Sequence, residues 1–165
     1  MCVDIRKEVI RILESYPSAK RKIALLRYEL EHPQQITSDE LVGALNFAHG
    51  DGSMPSVPGH ISNKTMYIAM SYQEKAAAVN SEVLDSIATK LFVLEREVNR
   101  LEYFVSLMDE ADQETITEHY MHQRTSEDIA EKSGLSRRTV FKQRNKAIDN
   151  LVEMYLYSGA ISDVE

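Results

Sequence analysis

From Leu84 to Met108 the chain repeats one pattern without a break. Leu84, Ile87, Leu91, Leu94, Val98, Leu101, Val105 and Met108 follow one another at alternating spacings of three and four. That is the a/d signature of a heptad helix. Over 81–109 such a helix spans roughly 40 Å at 1.5 Å per residue. Its apolar stripe is too narrow for a helix buried on all sides, so it requires a partner helix, from this chain or from a second copy. In a parallel pair Lys90 meets Glu95 favourably, whereas Glu97 meets Glu102 with like charge. The reading is an intramolecular helical hairpin, with 62–79 or with the N-terminal helices; a homodimer through 81–109 is the other use of the stripe.

The flanks are also helical in pattern. Ile5, Val9, Ile12 and Leu13, then Ile23, Leu26 and Leu30, recur at helix spacing over 3–31. Pro17 divides that segment into two short helices or kinks a single one, with Ser15 available as a cap. A short helix is expected over 38–47. Gly50, Gly52, Pro55, Pro58 and Gly59 mark 48–60 as a loop. His49, Asp51 and His60 in it fit no metal-ligand spacing and read as polar loop residues. Residues 62–79 read as helix, with an apolar patch at Met66, Tyr67, Met70 and the alanines 76–78.

Several function classes are disfavoured early. No apolar run approaches the ~20 residues of a membrane span, and Asp4, Arg6, Lys7 and Glu8 interrupt the start as a signal peptide would not. No membrane partner and a cytoplasmic location are expected. Cys2 is the single cysteine, which excludes an internal disulfide and a cysteine-based zinc motif. The stretch around His60, GHISNKT, lacks phosphate-loop spacing, and no nucleophile–base set is visible. No catalytic residue, metal or cofactor is expected, and the chain does not read as an enzyme.

A net charge of −7 by itself argues against a nucleic-acid binder, but the charges are unevenly placed. Asp109, Glu110, Asp112, Glu114, Glu118, Glu127, Asp128 and Glu131 face one base, Arg124, in 109–131. Then Lys132, Arg137, Arg138, Lys142, Arg144 and Lys146 follow with no acid among them. Charges farther than a Debye length of about 8 Å are screened, so this local field outweighs the total for a duplex phosphate.

Local signals in the same region describe three helices. Residues 112–121 present Ile116 and Tyr120 to a small core. Thr125 and Asp128 have capping-box spacing, Ile129 and Ala130 face inward, Gly134 ends the helix with a positive φ, and Leu135 plugs the turn. Ser136 caps the next helix, 136–151, whose Val140, Ala147 and Leu151 share one face beside Ile148.

Residues 126–151, SEDIAEKSGLSRRTVFKQRNKAIDNL, resemble the region 4 helix-turn-helix of bacterial sigma factors. The shared theme is Asp128-Ile129-Ala130, Gly134, Ser136-x-x-Thr139-Val140, Ala147 and Leu151. The likeness covers the last third of the chain; nothing upstream resembles the aromatic-rich region that melts promoters. The longer pattern, ILESYPSAKRKIALLRYELEH followed by a long helix and this C-terminus, resembles phage and prophage transcription regulators of Gram-positive bacteria of the ArpU and RinA types.

The expected architecture is all-α. N-terminal helices and the heptad helix form a hairpin or bundle over 1–109, and a tri-helical helix-turn-helix follows over 110–165. The resemblance implies a sequence-specific transcription regulator that binds double-stranded DNA, with RNA polymerase as a further partner. The second helix of such a unit enters the major groove. Arg137, Arg138 and Lys142 are then expected to reach DNA. Thr139, Phe141, Gln143 and Asn145 lie near base edges or sugar, and Ser136 and Lys146 complete the set. Phe141 either meets a thymine methyl group or packs on the flank of the core, and Arg144 pairs with an acid of the 110–118 helix. The competing reading is a helical protein-interaction adaptor that uses the heptad helix to capture a partner.

Overall fold

A computed structural model describes residues 4–42 and 63–161, with side chains over 4–42 and 70–161. Cys2, the expected loop 48–60 with its histidines, and the side chains of Met66 and Tyr67 lie outside the described residues. Of the short helix expected over 38–47, residues 38–42 are described and helical.

The chain is all-α. Helix α1 runs over Ile5–Glu31 and α2 over Asn63–Ser106. A short helix α3, Glu110–Ile116, continues into a π-helical turn, Thr117–Met121. Helix α4, Ser126–Ser133, and helix α5, Arg137–Tyr157, close the order. None of the described helices is long and apolar enough to cross a membrane.

Two local expectations resolve differently. Helix α1 passes through Pro17 as one 27-residue helix. Ser15, expected as a cap, instead donates its hydroxyl to the Ile12 carbonyl at 2.9 Å, and Ser18 donates to the Ser15 carbonyl at 2.8 Å. The hairpin between 62–79 and the heptad segment does not form, because α2 is a single helix of 44 residues. Residues 63–108 contain neither glycine nor proline, so nothing in the backbone chemistry stops the helix at Asn80.

The chain divides into two compact units, 1–25 with 92–165, and 26–91. The first has the main core. Ile5, Val9, Ile12 and Leu13 of α1 pack with Leu101, Val105 and Met108 of the α2 end, with Ile116, and with Ala147, Ile148, Leu151 and Tyr155 of α5. Residues on both sides of position 109 therefore share one apolar core. The last a/d positions of the heptad, Val98 to Met108, are all buried in this unit. Lys20 Nζ at 3.0 Å and the Tyr16 hydroxyl at 2.7 Å both donate to Glu102 at its rim.

In the second unit the heptad positions Leu84, Ile87 and Leu91 are half-buried. Here the Asn80 carboxamide holds the extended segment after α1. It accepts from the Ile36 N–H at 2.9 Å and donates to the Ile36 carbonyl at 3.0 Å, as a neighbouring strand would.

Candidate functional site

The C-terminal helices are positioned by caps that the residues specify. Asp109 carries the N-terminal end of α3, and its carbonyl accepts from the Gln113 N–H at 2.8 Å. The helix begins there, two residues before the expected start. It then widens at Thr117, whose carbonyl accepts from the His122 N–H at 2.9 Å, a π-type bond. The turn that follows lets Glu118 gather two cations, Arg124 Nε at 2.9 Å and Lys132 Nζ at 3.1 Å, with the His122 ring Nδ1 at 3.6 Å. The Lys132 hydrogen bond, with these charges, holds the Glu118 carboxyl below its ordinary pKa.

Helix α4 starts with the expected capping box: the Thr125 hydroxyl accepts from the Asp128 N–H at 3.2 Å, and the Thr125 N–H donates back at 3.1 Å. Gly134 ends it at φ +68°, in the left-handed region that glycine occupies without a Cβ penalty. Ser136 caps α5 by accepting from the Thr139 N–H at 3.1 Å. Its hydroxyl also bonds Thr139 Oγ1 at 2.8 Å, so Ser136 and Thr139 serve the helix start. Ala130, Val140, Ala147, Ile148 and Leu151 are buried as expected, with Ile116 beside them and Tyr120 packed against the cluster. Leu135 does not plug the turn; it stays 39% exposed. Helix α5 also runs beyond Leu151 to Tyr157, which adds Tyr155 to the core.

The candidate binding residues separate into two groups. Arg138, Phe141 and Lys142 are exposed on the side of α5 away from Val140, Ala147 and Leu151. Among the described residues, Arg138 and Lys142 have no ion-pair partner. The others are engaged. Arg137 is ion-paired with Glu127 of α4. Lys146 Nζ lies 3.3 Å from Asp112, whose buried carboxylate also accepts from Asn150 Nδ2 at 2.6 Å. Gln143 is half-buried.

Arg144 corrects an expectation. Its partner is no acid of 110–118 but His119 of the π turn: Arg144 Nη1 donates to His119 Nε2 at 2.7 Å. Its guanidinium carbon also stands 4.9 Å from the Phe141 ring centroid, a cation–π contact. Phe141 is thus half exposed and half covered by Arg144.

One contributor had no local sequence signal. Arg6 of α1 donates to Asn145 Oδ1 at 3.2 Å, across 139 residues of sequence, and ion-pairs with Asp149. Asn145 is turned to α1 with one acceptor position of its oxygen occupied, leaving its Nδ2 hydrogens and the second lone pair for another molecule. Charge along α5 is polarised. Residues 137–146 hold Arg137, Arg138, Lys142, Arg144 and Lys146 and no acid, and 147–157 hold Asp149 and Glu153 and no base. Among the described residues, no group of His, Cys, Asp and Glu is arranged to hold a metal ion.

Comparison of the chain with protein-family models, with curated proteins and with solved structures finds no match.

Proposed function

We propose that this chain is a sequence-specific transcription regulator that binds duplex DNA with the first half of α5, as the second helix of a sigma region 4-like helix-turn-helix. The observation that carries the reading is the exposed face Arg138–Phe141–Lys142 on a helix half that has five bases and no acid. The left-handed Gly134 and the Ser136 cap end α4 and start the helix that carries that face. A helix start with such a face suits the major groove, where an arginine reads guanine through two hydrogen bonds. Lys142 and Arg137 supply phosphate charge. RNA polymerase as a second partner, and a cytoplasmic place of action, belong to the same proposal.

Fluorescence anisotropy with a library of duplex fragments across salt concentrations tests it. Selective binding that weakens with salt, and an Arg138→Ala/Lys142→Ala variant weakened tenfold or more on a selected site, is the expected result, with about 1–3 kcal/mol for a guanine contact. Absence of binding at low salt by the folded protein would overturn it and favour the helical adaptor.

A further inference from the structure

On the first compact unit, α1, the α2 end and the residues after α5 enclose a cleft of about 550 Å³, within the range of small-ligand sites. Ile12, Phe92, Val93 and Ile161 give it apolar walls, and Arg96, Glu97 and Arg100 line it from one helix. Tyr155 stands in its lining, 2% exposed, with a hydroxyl that has no hydrogen-bond partner. A buried hydroxyl without a partner is unusual, because its desolvation is uncompensated. Burial pushes its pKa up to about 12, and the charges it feels are Arg100 and Glu97, both in the cleft lining. At neutral pH it is a proton donor, occluded from solvent and within electrostatic range of that charged wall. Among the described residues neither Arg96 nor Arg100 has an ion-pair partner. The remaining acid, Glu8, is held by Arg11 within α1, with Arg11 Nε on Glu8 Oε2 at 2.9 Å.

An unmet donor, two unpaired guanidiniums against one unpaired carboxylate, and apolar walls have a common complement. We propose that this cleft binds a small amphipathic monoanion, an organic acid whose carboxylate is received by Arg96, Arg100 and the Tyr155 hydroxyl while its apolar part lies along Ile12, Phe92 and Val93. The site is separate from the Arg138–Lys142 face and does not depend on the DNA reading.

The test is a nitrogen-15 NMR titration of the full chain with decanoate, with acetate as the acid without a tail and decyltrimethylammonium as the tail with the opposite charge. Saturable decanoate shifts centred on Arg96, Arg100, Gly159 and Ala160 are expected, with neither control saturating. Tyr155→Phe keeps the ring and its packing. It weakens decanoate about tenfold, as loss of a hydrogen bond to a charged group does, while leaving thermal stability equal or higher. Arg100→Gln weakens it similarly. Failure of decanoate to saturate, equal binding of the cationic control, or unchanged affinity in both variants would overturn the proposal. Unchanged affinity in the variants would leave the hydroxyl as a purely internal feature of the core.

Discussion

Arg144 donates to Nε2 of His119 across 2.7 Å, so the imidazole acts as an acceptor and is neutral on that nitrogen. Burial and the adjacent guanidinium both lower the His119 pKa. The neutral ring therefore belongs to the folded state, whereas the unfolded chain takes up its proton near the ordinary value of about 6.5. Stability linked to this histidine is fully present above that value. It is lost as pH falls below it, because the unfolded state then binds more protons. Urea unfolding between pH 7.5 and 5.5 is expected to show a falling midpoint. In His119→Gln, whose amide oxygen still accepts from Arg144 but does not titrate, that dependence flattens. An identical pH dependence in the variant would assign the effect to other groups.

Asn150 is expected to matter out of proportion to its size. Its Nδ2 donates to a carboxylate, Asp112, that is only 3% exposed. Asn150→Ala leaves that charge short of a donor and should cost about 1–3 kcal/mol. In a double-mutant cycle with Asp112→Ala the two losses should fail to add. Additive losses in denaturant titrations would show that the contact carries no energy of its own.

Gly134 has no heavy atom within 4 Å of where a Cβ would stand, so space does not restrict it. Its φ of +68° does. Gly134→Ala should destabilise by about 1–2 kcal/mol through backbone strain alone, and Gly134→Asn by less, since asparagine tolerates this region better. Equal melting temperatures for the alanine variant and the parent would contradict the left-handed turn.

Glu127 restrains Arg137 by an ion pair on the surface of α4 and α5. Under the DNA reading, Glu127→Gln frees that guanidinium and removes a repulsive charge. Non-selective duplex binding should tighten, and the salt dependence should steepen by about one unit of log K per log salt. The ion pair is exposed, so stability should change by less than about 1 kcal/mol. Weaker or unchanged binding on a salt series would place Arg137 away from phosphate.

What was legible in the residues followed from short-range rules. Thr125 with Asp128, Gly134 and Ser136 announced their turn and caps because capping is a bond between groups three residues apart. Val140, Ala147 and Leu151 announced their face because helix geometry brings positions three and four apart together. The same rules could not place Asn80, whose amide binds Ile36 from 44 residues away, nor identify His119 as the partner of Arg144. Those pairings depend on where whole helices lie.

The sequence by itself determined that this protein is helical, where α4 and α5 start, and which half of α5 carries the positive charge. Each is a property of neighbours along the chain. Only the tertiary structure decided that Arg6 of α1 holds Asn145, that Lys146 and Arg144 are engaged internally while Arg138 and Lys142 are not, and that the Tyr155 hydroxyl is buried without a partner. Those outcomes depend on helices brought together by burial of apolar surface, a force without direction. Polar side chains then find partners, or fail to, only after the packing has set the distances.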